Sequence, residues 1–257
     1  MSSFVRLVQN EHMKIYTRLR TWVMLAILGL AVIAMGVLMK YVVEAGMDHV
    51  LQFMVFASSL ASLVTIFTVI VAGDIVAAEF TWGTIKLLLI RPSSRGKILW
   101  SKYVTVLLFS VTLLLVMLII SYFTGLLLFG AGGIVAPDET ISSILQRYGL
   151  KAVEIVMTGT LAFMISTVFR SSSLAIGLSI FLMFTSGTVV SVLAQLKYTW
   201  VKYLLFANTD LSPYVLGGNP LIPGMTLGFS VSMLVVYWIV FCAVSWLLFT
   251  KRDVAGG

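Results

Sequence analysis

The chain has 257 residues, of which 60% are hydrophobic and only 11% are charged. Soluble domains carry about 25% charged residues, so this composition excludes an ordinary water-soluble protein and leaves little room for a separate soluble domain. The net charge of +7 is attributed to membrane topology and lipid contact, not to nucleic-acid binding. The single cysteine, Cys242, excludes a disulfide framework within the chain.

Residues 1–21 carry several charges before any apolar run and show no small-residue cleavage site, so we expect no removable signal peptide. The apolar arc of this segment covers one third of a helical wheel. Its members are Phe4, Val5, Val8, His12, Ile15, Tyr16 and Leu19. The pattern predicts an amphipathic connecting helix on the membrane surface, and an irregular basic tail is the alternative.

Six apolar stretches follow, each long enough to cross the hydrocarbon core as a helix. They are residues 22–39, 53–72, 104–129, 152–169, 174–196 and 227–249. An open sheet would leave backbone groups unpaired in lipid, so the sequence predicts an all-α membrane protein with a six-span domain over residues 22–257. Only four residues separate the fourth and fifth stretches, which predicts an antiparallel pair.

Charge is unequally distributed between the two sides of this topology. Most Lys and Arg residues fall on the side of both termini and of the second and fourth loops, whereas most acidic residues fall on the other side. The positive-inside rule then predicts a multi-pass protein of the cell membrane with both termini in the cytoplasm.

Small polar side chains recur at helical spacing in two of the stretches. They are Ser58, Ser62 and Thr65 in the second stretch and Thr185 and Thr188 in the fifth. Such residues are typical of close helix packing in lipid, and the alternative is that they line a substrate pathway.

Residues 197–225 mix aromatic and apolar side chains with breakers that include Pro213, Gly217 and Gly218. The segment is too apolar for a solvated loop and too broken for a span. It predicts a broken helical hairpin on the outer side, and an aromatic belt at the interface is the alternative.

Residues that could support catalysis, metal binding or ion coupling are scarce. HExxH, GxSxG and Walker A motifs are absent, so we expect no enzyme and no cofactor on this chain. Two histidines provide no metal set, and His12 is expected to be an interface residue. Asp74 and Glu154 lie at the ends of their stretches, which argues against coupling to protons or sodium ions at the membrane centre.

The second loop, residues 74–102, has the most specific pattern. Glu79, Gly83 and Thr84 precede the apolar run 87–90, and Pro92, Arg95 and Lys102 follow it. An apolar patch with a charged rim suits docking into a groove on a partner, although the same helix could instead dip into lipid. Glu79 and Arg95 could alternatively form a structural ion pair.

This pattern resembles the type-two ABC exporter permease family. The resemblance implies that the loop is a coupling helix seated on a separate ABC ATPase subunit, which would bind ATP and Mg²⁺, and that a second permease chain, identical or related, completes the pathway. The docking residues implied are Glu79, Gly83, Thr84, Leu87, Leu88, Arg91, Pro92 and Arg95. The resemblance also implies the connecting helix before the first span and the broken outer hairpin.

We therefore expect the permease subunit of an ATP-driven ABC exporter that moves a lipid-like or peptide-like compound out of the cytoplasm. A membrane sensor or interaction subunit that transports nothing is the alternative. An intramembrane enzyme is a third interpretation, for which the sequence offers no catalytic set.

Overall fold

The computed structural model describes residues 3–43, 46–84, 93–133, 139–169 and 171–251. Within these ranges the chain forms helices and no strand, which confirms the all-α fold. Short three-ten turns lie at Ser58–Leu60 and Thr199–Tyr203. The α-helices are α1 (Ser3–Tyr16), α2 (Leu19–Tyr41), α3 (Val50–Ala57), α4 (Ala61–Asp74), α5 (Ala77–Thr81), α6 (Arg95–Phe129), α7 (Ile141–Val168), α8 (Ser172–Gln195), α9 (Leu205–Asn208), α10 (Ser212–Val215) and α11 (Leu227–Lys251).

Six helical segments in the described part of the chain are long and apolar enough to cross a membrane, which confirms the predicted spans. The second span is composite, because α3, the first three-ten turn, α4 and α5 follow one another over Val50–Thr81. The third span begins at Arg95, nine residues before the apolar stretch that predicted it. Ser94 caps this helix by accepting a hydrogen bond from the backbone N–H of Lys97.

Helices α4 and α7 lie side by side at the centre of the bundle. Around them pack α6, α8 and α11, and α2 lies against α6. Few residues of α8 and α11 are buried, since these two helices lie along the outside of the bundle. The turn between α7 and α8 is as tight as predicted, since α7 ends at Val168 and α8 begins at Ser172.

Small residues let the first three spans approach closely. A Cβ atom on Gly36 of α2 would lie 2.8 Å from Cγ2 of Thr124, and one on Gly125 would lie 3.1 Å from the Phe53 ring. Neighbouring helices therefore occupy the space that larger side chains would need, which is the usual role of glycine between membrane helices.

A buried polar cluster joins three spans. The hydroxyl of Tyr103 on α6 lies 2.9 Å from the hydroxyl of Thr160 on α7, and the indole N–H of Trp238 on α11 donates to Tyr103 at 2.8 Å. Hydrogen bonds of this kind hold helices together where lipid offers no polar alternative.

Residues 197–225 are broken, as predicted, into the three-ten turn, α9 and α10. Positive φ angles interrupt the backbone at Lys197 (62°), Gly217 (81°) and Gly224 (85°). The segment is nevertheless folded, because it contributes four buried residues to one small apolar cluster with Val190 of α8. Those four residues are Val201, Ala207, Ile222 and Met225.

Candidate functional site at the charged end

One end of the bundle contains the buried charged residues of the described chain, which are Glu11, Asp74 and Lys102. Here α1 lies against α6, α5 follows α4, and the guanidinium Nη1 of Arg95 donates to the carbonyl oxygen of Thr250 at 3.2 Å. The first helix and the end of the last helix therefore both lie against α6 at this end, which we call the charged end.

Helix α1 packs with a carboxylate on its inner side. Glu11 is 5% exposed, and Ile15 of the predicted apolar arc is 7% exposed, whereas Val5 of that arc is 40% exposed. The packed side of the helix therefore extends beyond the predicted arc and includes Glu11. The cause is electrostatic, because Glu11 points to an ammonium group on α6.

Four side chains form a closed ring of ion pairs, which we call the ion-pair ring: Glu11, Lys14, Glu79 and Lys102. Lys102 of α6 is 1% exposed and donates to Glu11 Oε2 at 2.7 Å and to Glu79 Oε1 at 2.8 Å. Lys14 of α1 donates to Glu11 Oε1 at 2.7 Å and to Glu79 Oε1 at 3.2 Å. Each ammonium therefore bridges both carboxylates, and the ring is neutral.

The two ring members on α1, Glu11 and Lys14, keep their charges at ordinary pH. Burial alone would raise the pKa of Glu11, but the charge and hydrogen bond of Lys102, followed by those of Lys14, hold that pKa below its usual value. Burial alone would lower the pKa of Lys14, but Glu11 and then Glu79 raise it above the usual value. Because Lys102 is buried, removing any one partner would leave an uncompensated charge.

A second cluster lies beside the ring and contains two arginines. Asp74, at the end of α4, is 6% exposed. Its Oδ2 accepts from Arg18 Nη1 at 3.0 Å and from Arg20 Nη2 at 2.8 Å, and its Oδ1 accepts from the hydroxyl of Ser172. This cluster joins the beginning of α2 to the end of α4 and the beginning of α8.

Both clusters line one cavity of about 300 Å³. Four cations and three anions face it, so its wall carries one net positive charge. The charged lining residues are Glu11, Lys14, Arg18, Arg20, Asp74, Glu79 and Lys102, and Ile15, Val71, Ile75, Ala78, Trp82 and Thr84 complete the wall.

The predicted docking residues are only partly within the described chain. Glu79 belongs to the ion-pair ring, and the hydroxyl of Thr84 donates to its Oε2. Gly83, exposed after α5, has a φ of +69°, a conformation that glycine adopts without strain. Arg95 begins α6, and the carbonyl oxygen of Thr250 accepts one of its hydrogen bonds. Leu87, Leu88, Arg91 and Pro92 lie outside the described residues.

The small polar residues do not share one environment. Thr65 is buried and its hydroxyl donates to the carbonyl oxygen of Ala61, whereas Ser62 is exposed and Ser58 is half-buried. In α8, Thr185 is half-buried and Thr188 is exposed. A role of these residues in a pathway therefore stays a prediction, and Thr65 faces the interior of the bundle.

Sequence reasoning missed the buried role of Glu11 and the pairing of Lys102. A signal for Lys102 was present, since it lies three residues after Leu99 and four before Val106, on the same buried face of α6. A lysine at that spacing indicates a buried partner. The Glu79–Arg95 pair, named above as an alternative, is not among the ion pairs of the described residues, and the carboxylate of Glu79 accepts from Lys102 and Lys14.

Comparison with known proteins assigns the family. Residues 18–255 match the family described as a protein of unknown function, DUF2705. The chain belongs to this family. From Bacillus subtilis (strain 168), the uncharacterized protein YhcI is 37% identical over 314 residues, which covers 98% of this chain and 99% of YhcI. The uncharacterized membrane protein YdbK of the same strain is 35% identical and covers 94% of this chain and 99% of YdbK.

Membership of the DUF2705 family corrects the resemblance drawn from the second loop. The assignment to the type-two ABC exporter permease family is wrong, because the family that matches almost the whole chain is DUF2705 and both relatives are uncharacterized proteins. The resemblance rested on about thirty residues of the second loop, whereas the DUF2705 match extends over residues 18–255. The membrane assignment stands, because YdbK is a membrane protein by name and six helices can span a bilayer.

Proposed function

We propose that this DUF2705 protein is the membrane-spanning subunit of an ATP-driven exporter and that a separate cytoplasmic ATPase, of the ABC class, supplies the energy. The substrate is a lipid-like or peptide-like compound. The proposal rests on the geometry of the charged end and on the absence of a nucleotide-binding motif from the printed sequence.

The Glu79–Lys102 contact of 2.8 Å is the observation that carries this proposal. Glu79 lies before the second loop's apolar run and Lys102 after it, so the two ends of the loop are fastened to each other. Both are also fastened to α1 through Glu11 and Lys14. A partner that moved this loop would therefore move α1, α5 and α6 together.

The same loop is also attached to the centre of the bundle. The backbone N–H groups of Val76 and Ala77 donate to the hydroxyl of Ser166 on α7, at 3.3 and 3.0 Å. Ser166 is buried, so the bend between α4 and α5 is fixed to the most enclosed helix. A movement of the loop would thus be transmitted to the spans by these hydrogen bonds as well as by the ion pairs.

The charge distribution supports a cytoplasmic location for the charged end, with both termini on that side. Helices α4 and α7 fill the centre of one bundle, so we propose that the pathway forms between two chains, identical or related. Labelling of single cysteines in a Cys242→Ser background tests the orientation. An external reagent should reach Thr140→Cys and miss Ser94→Cys, and the reverse pattern would place the charged end outside.

A substitution in the apolar run tests the docking of an ATPase. Leu88→Asp should place a charge in the contact and abolish co-purification of the ATPase, while the protein still inserts. The control is Leu221→Asp, which changes an exposed leucine at the other end of the bundle. Co-purification of the ATPase with Leu88→Asp at the wild-type yield would contradict the proposed docking.

Transport is tested in vesicles that contain the purified complex. ATP should drive movement of labelled lipid or peptide probes, and Leu88→Asp should abolish it. A stable complex that hydrolyses ATP without moving any probe would instead identify a sensor or interaction subunit.

A further inference from the structure

We propose that the cavity at the charged end binds a phosphate-bearing anion, and that in the membrane this anion is the headgroup of an acidic phospholipid. The inference concerns the arginine cluster, not the loop, so it does not depend on the proposed export activity; its choice of an acidic lipid rests on the cytoplasmic location proposed above for the charged end.

Charge balance is the first reason. The ion-pair ring neutralises itself, because its two ammonium groups face two carboxylates. In the second cluster one carboxylate, Asp74, faces both Arg18 and Arg20. The surplus positive charge of the cavity therefore belongs to the arginine pair.

Unused hydrogen-bond donors are the second reason. Asp74 accepts both arginine contacts on the same oxygen, Oδ2, through one terminal nitrogen of each guanidinium. The Nε atom of Arg20 is buried and has no hydrogen-bond partner among the residues that the structure describes. A buried donor without a partner is costly, and planar guanidinium groups match the geometry of phosphate oxygens.

Access and size are the third reason. The side chains of Arg18 and Arg20 are 48% and 33% exposed, so a ligand can reach them from outside. A cavity of about 300 Å³ holds a phosphate group with a small attached headgroup, and ligand sites commonly begin near this volume.

The position of the cavity favours a lipid as the source of the phosphate. Arg18 and Arg20 lie where α2 begins, at the end of a span. Trp22 and Trp82 are 59% and 76% exposed at the same end, and Trp82 lines the cavity. Exposed tryptophans are typical of the membrane interface, and acidic lipids are concentrated in the cytoplasmic leaflet.

Native mass spectrometry of the full chain in detergent tests this inference. The wild type should retain phosphatidylglycerol in preference to phosphatidylcholine. The double substitution Arg18→Gln with Arg20→Gln should reduce retention by more than tenfold, since each lost cation weakens binding to an acidic lipid by about fivefold. Lys97→Gln with Lys251→Gln is the matched control, because both lysines are exposed and outside the cavity.

A second variant separates binding from folding. Asp74→Asn removes the anion that competes for the arginines and should increase phosphatidylglycerol retention, whereas damage to the fold would decrease it. Equal retention of both lipids, or wild-type retention by the double arginine variant, would overturn the site. If the protein retains inorganic phosphate but shows no preference for the acidic lipid, the part of the proposal that names a lipid as the source of the phosphate is wrong.

Discussion

The two ends of the bundle are held together in different ways. At the charged end, ion pairs join residues that are distant in sequence, with a separation of 91 residues for Glu11 and Lys102 and of 65 for Lys14 and Glu79. At the opposite end, which we call the capped end and define as residues 197–226, the contacts are more local. There the side-chain amide of Asn208 donates to the carbonyl oxygens of Lys202 and Leu204 at 2.8 Å.

The difference indicates which changes each end tolerates. A closed ring of buried charges depends on every member, because the loss of one leaves another without its counter-charge. The capped end depends on backbone turns and apolar burial, so changes at its glycines should affect it more than changes of charge. Lysine substitutions at both ends test this contrast most directly.

The largest effect is expected for Lys102→Met. The side chain is 1% exposed, and its removal leaves Glu11 and Glu79 with only Lys14 between them. The loss of a buried partner costs about 3–5 kcal/mol, which should lower the thermal midpoint in detergent by many degrees or prevent folding.

Two further variants check the origin of that effect. Lys97→Met changes an exposed lysine on the same helix and should unfold like the wild type. Adding Glu11→Gln to Lys102→Met should recover part of the stability, because one uncompensated carboxylate is removed. If Lys102→Met has the same thermal midpoint as Lys97→Met, the ring does not stabilise the fold, and the proposed contrast between the two ends is wrong.

A smaller effect is expected at the capped end when its breakers are replaced. Pro213, Gly217 and Gly218 changed together to alanine should cost about 1–2 kcal/mol, since Gly217 has a φ of +81° and a Cβ on Gly218 would lie 3.2 Å from Cα of Pro213. Under the proposed function, transport in vesicles should fall while the ATPase still co-purifies. Unchanged export by this variant would show that the cap is a passive interfacial loop.

The pH dependence of the charged end is expected to be small at neutral pH. The pKa of Glu11 is lowered in the folded protein, so its stabilising contribution is present above the usual value of 4.5 and is lost as the pH falls through the lowered pKa. Lys14 has a raised pKa, so its contribution is present below the usual value of 10.5 and is lost as the pH rises through the raised pKa. Thermal midpoints in detergent should thus show a plateau between about pH 5 and pH 10.

Glu11→Gln is the control for this dependence. It should remove the contribution of Glu11 on the acidic side and also weaken that of Lys14 on the alkaline side, because Glu11 is the larger cause of the raised pKa of Lys14. A wild-type midpoint that falls steadily between pH 7 and pH 5 would contradict a lowered pKa at Glu11.

The spans were predictable because hydropathy is a property of each residue and its near neighbours. Runs of apolar residues in α2 and α11 are enough to place a helix in lipid, whatever the rest of the chain does. The beginning of α6 was missed by nine residues because Arg95, Lys97 and Lys102 interrupt the apolar signal. The helix includes these residues because Lys102 forms an ion pair with the carboxylate of Glu11 and because Ser94 caps the first turn.

The site was less predictable because its contacts join residues that are far apart in the sequence. Glu11 on an amphipathic helix is ordinarily placed in water, and only a partner on another helix makes its burial favourable. The arginine cluster likewise depends on a contact between distant parts of the sequence. Arg18 and Arg20 lie where α2 begins, and Asp74, which they contact, lies at the end of α4. Helical spacing could have indicated Lys102, but no local pattern identifies which carboxylate it meets.

The smallest effect is expected for Lys202→Met, the counterpart at the capped end of Lys102→Met. The Lys202 ammonium lies 5.2 Å from the ring centre of Tyr203 and 5.9 Å from that of Phe229. Such a contact contributes about 0.5–1 kcal/mol at an accessible site, and the carbonyl oxygen of residue 202 still accepts from Asn208 after the substitution. The midpoint of Lys202→Met should therefore fall by only a few degrees. A loss as large as that of Lys102→Met would mean that charge holds both ends of the bundle alike.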